Sequence, residues 1–598
     1  MDLRSPTVIL DDARPGRERL VGFVRPREVI AAHASADVPW AFARIEAART
    51  QGFHVAGYFS YELGYLLEPR LVPLLPQARA VPLLWFGVFE DREIHEGADA
   101  RAALERDVSG RAYAGPLTHQ WDDGAYGAHF RCVHDFIGQG DIYQANLSFR
   151  SRFAFLGDAL SLYLSLREAS RAAHGAFIAD GERHILSLSP ELFFNLAADG
   201  TLTARPMKGT AARHPDPALD IAARTALAAS EKDRAENLMI VDLLRNDLGR
   251  IAEVGSVGVR DLFAIETYPT VHQMVSTVTA TLKPGASVEA IVRALFPCGS
   301  VTGAPKIRAM EITRALEQSP RGIYCGAIGH FAPDGSARFN VAIRTLTIAD
   351  GRGELGIGGA IVQDSTAVSE YAECLLKARY YEITRKPVEL IETLRFAPGE
   401  GFTRLHRHLD RMACSTNAFG IAFNKSSAVS VLKNAEVVTS ARVRLVLKEY
   451  GALSVTIAPL EKSLPVWTYA ISPLRIASND ALLRHKTGWR ELYESEQERL
   501  SRELGCDEVI FLNERGEVAE GSRSNVFIRR YGQLLTPPLD AGLLDGCLRR
   551  ELIEQDKCIE STLTRADLAR ADKVYLGNSL RGLIRAVPAQ AVAYATAD

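Results

Sequence analysis

Glu236-Asn237-Leu238-Met239-Ile240-Val241-Asp242-Leu243-Leu244-Arg245-Asn246-Asp247 lies at the centre of a longer stretch, Ser230 to Ile251. In that stretch the apolar residues Leu238, Val241, Leu244 and Leu248 recur at helical spacing. The spacing predicts one helix, and on it Asp233 and Glu236, three apart, share a face. A second helical stretch, Ser369 to Tyr380, repeats the device with Glu370 and Glu373. If the two helices converge, the four carboxylates repel one another and need a cation. A set of oxygen ligands without thiolate or imidazole suits Mg²⁺, which keeps several waters and takes one or two carboxylates plus substrate oxygens.

Working outward, Ala337 to Ala349 is apolar and β-branched, Asp350-Gly351 follows, and another strand-like run comes next. Asp-Gly suits a turn with φ > 0, so this segment reads as a hairpin. Gly351-Arg352-Gly353-Glu354-Leu355-Gly356 fits GxGxxG literally, but a hairpin offers no strand-to-helix entry for a dinucleotide. Residues 1 to about 115 are a mixed start, with an Ala-rich helical stretch from Trp40 to Gln51 followed by Gly57-Tyr58-Phe59-Ser60-Tyr61-Glu62. The pattern breaks at Arg385-Lys386-Pro387, and a new segment begins at Val388-Glu389-Leu390-Ile391-Glu392-Thr393. A domain boundary is expected there, with domains at 1–385 (an N-terminal portion 1–115 and a core 120–385) and 388–598. His406 and His408 form an HxH with no further ligand residues near in sequence, and read as polar residues at a helix start.

A chain of 598 residues exceeds one core. A formal net charge of −3 gives no electrostatic case for nucleic acid or a membrane surface. No apolar run approaches the length of a membrane span, and the start lacks the apolar stretch of a signal peptide. The eight cysteines form no CxxC pair, which argues against a disulfide framework or a structural zinc site. A cytoplasmic location is the expectation.

Five further segments occur in a telling order: Gly140-Asp141-Ile142-Tyr143-Gln144-Ala145-Asn146-Leu147, Ser187-Leu188-Ser189-Pro190-Glu191, Pro206-Met207-Lys208-Gly209-Thr210, Gly303-Ala304-Pro305-Lys306 and Gly356-Ile357-Gly358-Gly359-Ala360-Ile361-Val362. With the helix around Glu236 they resemble the chorismate-binding family, which includes anthranilate synthase component I and aminodeoxychorismate synthase component I. The match covers about 120 to 380. The resemblance implies a large α+β domain with extensive antiparallel sheet. It also implies that Glu236 and Glu373 hold Mg²⁺ directly, with Asp233 and Glu370 supporting through water. Arg344 and Tyr324 would bind one carboxylate of chorismate, with Lys306 and the backbone of Gly356, Gly358 and Gly359 completing the substrate site. His272 would assist proton transfer at the leaving hydroxyl. Lys208 stands where family members that make anthranilate carry a small apolar residue, and would be the nucleophile. An attacking Lys must be the neutral amine for part of the time, so burial or a neighbouring cation must lower its pKa. No Gly-x-Cys-x-Gly segment of a glutaminase is present. The resemblance therefore implies a separate glutamine amidotransferase subunit that supplies ammonia.

From 388 onward, His408-Leu409-Asp410-Arg411, His485-Lys486-Thr487-Gly488, Glu520-Gly521-Ser522-Arg523-Ser524-Asn525 and Gly577-Asn578-Ser579 resemble fold-type IV enzymes that use pyridoxal 5′-phosphate (PLP). That group contains branched-chain and D-amino-acid aminotransferases and aminodeoxychorismate lyase. The resemblance implies a two-lobed α+β domain with the cofactor between the lobes, and a homodimer through this half. Lys486 falls at the lysine that links covalently to the cofactor, Arg411 at its phosphate and Glu520 at its pyridine nitrogen. Ser524, Asn525, Asn578 and Ser579 continue the cofactor contacts, and Thr393 matches a lyase position that relays a proton. Together the two resemblances imply a bifunctional enzyme that makes 4-aminobenzoate for folate from chorismate and ammonia by way of 4-amino-4-deoxychorismate. The alternatives are anthranilate synthase component I fused to an aminotransferase, or one half acting as a regulatory or scaffold module.

Overall fold

The computed structural model describes residues 6–267 and 271–589. The chain divides into two compact units. One comprises Met1–Asp107, Pro116–Phe153 and Tyr163–Thr384; the other comprises Val108–Gly115, Ala154–Leu162 and Arg385–Asp598.

The first unit is α+β, as expected, and is built on two large antiparallel sheets, one of them ten-stranded among the described residues. Its main core is aromatic and aliphatic, with Phe59, Phe86, Phe194, Phe296 and Phe339 packed together. The Ala-rich stretch is a helix, Val38–Thr50, that buries Ala41, Phe42, Ile45 and Ala48 on one side. The acid-bearing stretches are helices as well. Glu231–Gly249 is capped by the Ser230 side chain, which accepts from the Asp233 N–H at 3.2 Å. Its buried face is Asn237, Ile240, Val241, Leu244 and Leu248. Leu238, assigned to the apolar face from spacing, is instead 44% exposed. The buried polar residue Asn237 takes the inward position and accepts a hydrogen bond from Ser276 Oγ at 2.5 Å. The second acidic helix, Ala367–Thr384, is longer than its pattern suggested.

The Asp350-Gly351 hairpin forms, with both turn residues at positive φ and Thr345–Ala349 paired antiparallel to Arg352–Ile361. The run before it is not one strand, however. Ala337–Val341 belongs to the ten-stranded sheet and Thr345–Ala349 to the other sheet. Arg344, expected inside the strand, sits at the crossover with φ +49°. Changing sheets requires a turn of the backbone that strand dihedrals cannot make.

The second unit has two sheets. A four-stranded antiparallel sheet contains Glu389–Ala397 and Ala441–Lys448, with the helix Leu405–Phe419 packed against it. An eight-stranded mixed sheet contains Val466–Ile476, which runs parallel to both Glu508–Asn513 and Gly582–Pro588. Among the described residues no helix is long and apolar enough to cross a membrane.

Candidate functional site

In the first unit the strand Met207–Ala212 pairs with Val271–Thr281, and its register shifts between Met207 and Thr210. Lys208 and Gly209 lie in that irregularity, and bulges of this kind re-aim a side chain. Gly209 has φ +85°, and a Cβ there would stand 2.9 Å from Asp233 Cβ. Glycine is required on both counts, and it lets the strand press against the acidic helix. Lys208 thereby comes within electrostatic reach of Glu236, Glu191, Glu373 and Lys377. Its pKa is lowered, first by burial and then by Lys377, against the opposing pull of Glu236. Both means of lowering an amine pKa named from the sequence are thus present.

Glu191 received no role from sequence. It is buried at the end of Ser187-Leu188-Ser189-Pro190-Glu191, and Ser300 Oγ donates to its carboxylate at 2.7 Å. Burial pushes its pKa up to about 7, with Ser300 and Lys208 pulling the other way. A carboxyl near 7 is protonated for much of the time at neutral pH, so it can deliver a proton. Its motif was legible, but only burial reveals this property.

The two acidic helices do interact. Glu236 is pushed up by burial and by the charges of Asp233 and Glu370, while Lys208 and Lys232 oppose this. Glu370 is also raised, by burial first, and accepts from Ser365 Oγ at 2.7 Å. Glu373 is lowered because Lys377, 2.9 Å away, outweighs its burial. The four acids offer oxygen donors only. Three of their ligand atoms do not lie within 4.8 Å of one another.

The remaining expected residues are distributed as follows. Tyr324 is buried against Gly356, where a Cβ would meet its ring carbon Cγ at 2.2 Å. The Arg150 guanidinium lies 5.3 Å from the Tyr324 ring centroid. Arg344 is lowered by burial, and its carbonyl accepts the Leu188 N–H at 3.0 Å, three residues before Glu191. Lys377 donates to the Gly358 carbonyl at 3.0 Å, and Glu370 lies beside Gly359. Lys306 is engaged by Asp247 at 2.7 Å and by the Leu295 carbonyl at 3.2 Å. His272 is buried with both ring nitrogens occupied, one by Asp220 at 3.0 Å and the other by Thr267 at 3.0 Å.

The second unit encloses a cavity of about 560 Å³ between its sheets, lined by Thr393, Arg411, Lys486, Glu520, Asn525 and Ser579 among others. Lys486 Nζ lies 3.4 Å from Thr393 Oγ1. Burial, and then the nearby Arg411, lower its pKa to about 8, against the pull of Glu392. Glu520 is buried and raised; Tyr493 donates to it at 2.7 Å and the Leu544 N–H at 3.0 Å. Asn525 Nδ2 donates to the Leu544 carbonyl at 2.9 Å, and Ser524 Oγ donates to Glu508 at 3.0 Å. Asn578 bridges by donating to the Arg523 carbonyl at 3.2 Å.

His408 stands near the start of the helix Leu405–Phe419, where the sequence placed it, and is 1% exposed. On the helix Leu405–Phe419, His408 and Arg411 are three apart and face the same way. Both meet Glu392, at 2.5 Å from His408 Nδ1 and at 2.6 and 2.9 Å from Arg411. His408 Nε2 pairs with Ser579 Oγ at 2.8 Å. Arg411 and His408 hold the Glu392 carboxyl at about 2 despite complete burial. Glu392 is therefore the hub that fixes Arg411 and Ser579. With Cys547, Glu392 and His408 bring three ligand atoms within 4.8 Å. The Glu392 oxygens are already taken by Arg411, so this triad reads as an ion-pair network.

Residues 5–381 match the chorismate binding enzyme family and residues 389–587 the class IV amino-transferases. Aminodeoxychorismate synthase component 1 of Escherichia coli (strain K12) is 41% identical over 334 residues, 53% of this chain and 73% of that protein. The protein of the same name from Klebsiella aerogenes is 41% identical, again over 53% of this chain, and 74% of it is covered. The crystal structure of anthranilate synthase component I from Streptococcus pneumoniae TIGR4 superposes with a TM-score of 0.53 at 25% identity, covering 62% of this chain and 93% of that one. The class IV match implies PLP, and the residues present fit it. A lysine of lowered pKa, a buried carboxyl and a guanidinium fixed by Glu392 line one cavity of suitable size. The chain belongs to the chorismate binding enzyme family and carries a class IV amino-transferase domain after it.

Proposed function

We propose that this chain converts chorismate and ammonia to 4-aminobenzoate in two steps, one in each unit. The observation that carries the reading is Lys208, an amine of lowered pKa placed beside the raised carboxyl of Glu191. In the first step the Lys208 amine adds at ring C2, both ring double bonds shift, and the C4 hydroxyl leaves as water with a proton from Glu191. Ammonia then adds at C4, both double bonds shift back, and Lys208 departs as the neutral amine with the proton that the added ammonia gives up, leaving 4-amino-4-deoxychorismate. Arg344 and Tyr324 bind one carboxylate of the ring substrate; the planar fork of Arg suits that task. Glu236 and Glu373, supported by Asp233 and Glu370, would hold Mg²⁺, which would neutralise the ring carboxylate. Their spread does not prevent this, because Mg²⁺ takes one or two carboxylates and fills its other positions with water and substrate. His272 is read as a positioning residue, since Asp220 and Thr267 already occupy its nitrogens. Ammonia would come from a separate amidotransferase subunit.

In the second step PLP, when bound, would withdraw electrons from the carbon bearing the substrate amine. Glu520 would keep the pyridine nitrogen protonated, and Arg411, fixed by Glu392, would receive the phosphate. Lys486 would take the proton from ring C4, with Thr393 at 3.4 Å able to pass it on. Loss of the enolpyruvyl group as pyruvate leaves an aromatic ring, which makes the step effectively irreversible.

The test incubates the purified chain with chorismate, Mg²⁺, PLP and a high ammonium concentration, and separates the aromatic products by chromatography. 4-Aminobenzoate with an equal amount of pyruvate is expected. Anthranilate in its place would overturn the role given to Lys208 and reopen the second unit as an aminotransferase.

A further inference from the structure

The cavity of the second unit holds more positive charge than a cofactor phosphate uses. Arg411 is already matched by Glu392. Six other arginines line the same cavity. Arg111 is matched by Asp480 and Arg490 donates to the Ser522 carbonyl, which leaves Arg442, Arg444, Arg523 and Arg581. Along Ala441–Lys448 the residues alternate. Ala441, Val443, Leu445 and Leu447 are buried in the core, which leaves Arg442 and Arg444 exposed on the opposite face. Arg444 lies directly across from Thr393 in the strand register. Side chains opposed in this way stand on the same face, so Arg444 shares the face on which Thr393 reaches Lys486.

The other two arginines come from the eight-stranded lobe and are held by Asn578. Its Nδ2 donates to the Arg523 carbonyl at 3.2 Å, and its Oδ1 accepts the Arg581 N–H at 3.0 Å. The Arg581 guanidinium packs over the Trp467 ring, 5.6 Å from its centroid. Its pKa is lowered by burial and then by Arg523, with Arg442 acting in the same sense. Three guanidiniums therefore feel one another across the cavity. Two acids act on Arg581: Glu461, 3.9 Å away with its side chain 82% exposed, and Glu508, whose carboxylate already accepts from Ser522 and Ser524. Among the described residues no carboxylate pairs with Arg442, Arg444 or Arg523. Like charges gathered on fixed supports repel unless an anion joins them.

We propose that Arg442, Arg444, Arg523 and Arg581 form an anion subsite that takes the carboxylates of a doubly charged ring amine and selects it over singly charged amino acids. The inference rests on the reading of this unit as acting on an amine of the 4-amino-4-deoxychorismate class, which carries two carboxylates. A monocarboxylate would leave part of the guanidinium cluster unmatched, and a second carboxylate adds a charge-assisted contact that the monocarboxylate lacks. The subsite is distinct from the phosphate end, which the Glu392 network marks.

The full chain loaded with PLP is titrated at fixed ionic strength with two unreactive ring anions, isophthalate and benzoate, and binding is read from the cofactor absorbance. Isophthalate is expected to bind at least about tenfold more tightly than benzoate, as one further charged contact allows. Arg442→Gln and Arg581→Gln should each weaken isophthalate by about fivefold to tenfold, leave benzoate within about twofold, and retain the same amount of PLP per chain. Equal affinities for the two anions in the unaltered protein would overturn the subsite without reliance on any variant. So would isophthalate binding that neither substitution weakens. A parallel assay for 4-aminobenzoate separates the two claims. Product without discrimination between the anions removes the subsite and leaves the activity standing; discrimination without product does the reverse.

Discussion

Each unit places one lysine of lowered pKa in its site, and the two are lowered in different company. Lys208 is lowered by burial and Lys377, but three carboxylates, Glu236, Glu191 and Glu373, pull it back. Lys486 is lowered to about 8 by burial and Arg411, and the carboxylate that opposes this, Glu392, is already matched by Arg411 and His408. Two of the acids around Lys208 already have partners, Ser300 on Glu191 and Lys377 on Glu373, so several groups of both signs set the charge on Lys208. The environment of Lys486 is closed and set in advance. This suits the roles proposed for them: attack and departure for Lys208, and cofactor attachment and proton transfer for Lys486.

Exchanging the roles is the hardest test of that contrast. Lys208→Ala should lower ammonium-dependent consumption of chorismate by about a thousandfold or more while the chain keeps its bound PLP, absorbing near about 410 nm. Lys486→Ala should lose that absorption and let 4-amino-4-deoxychorismate accumulate. A Lys208→Ala protein that still makes the original product at the normal rate would remove its covalent role.

Glu191→Gln probes the proposed proton donor and should slow chorismate consumption by about a hundredfold to ten thousandfold. The sign of the pH dependence follows from its pKa. Raised to about 7, the carboxyl is an acid below that value and loses its proton above it. With free ammonia held constant, Glu191 should contribute a limb that falls as pH rises through about 7, opposed by the growing fraction of neutral Lys208, and Glu191→Gln should remove that limb. The same pH profile in Glu191→Gln and in the unaltered chain would exclude Glu191 as the donor.

Glu392→Gln is expected to weaken PLP binding by about tenfold, read as cofactor retained after dialysis, because Arg411 and His408 lose their common anchor. Glu392→Asp should recover part of the loss. Unchanged retention in both variants would show that the network is not what orients Arg411.

The smallest effect concerns covalent attachment of PLP to the apo chain. A neutral amine is needed, so the attachment rate should rise as pH increases through about 8 and level off above it. A rate that keeps rising to pH 10 would mean that Lys486 is not lowered as its surroundings indicate.

The local elements were legible because they rest on periodicity and turn chemistry. Both acidic helices, the Asp-Gly hairpin and the Ala-rich helix formed where spacing placed them. Legibility failed where the decision depended on what packs against a residue. Leu238 looked apolar-facing, and Asn237 took the inward position because Ser276 supplies a partner. His408 was legible only as a polar residue at a helix start, and Glu392, sixteen residues earlier, makes its burial tolerable. Arg344 looked like a strand residue, and the change of sheet put it at a turn.

What the sequence determined by itself was the identity and order of the chemical groups: a lysine in Pro206-Met207-Lys208-Gly209-Thr210, two acid pairs at helical spacing, and a second lysine followed by a glutamate. Only the tertiary structure decided their charge states. Burial and the neighbours brought by distant segments raise Glu191, lower Lys208 and Lys486, and hold Glu392 ionised. The reason is physical. A pKa depends on desolvation and on charges within a few ångströms, and these are properties of the folded surroundings that residue spacing does not encode.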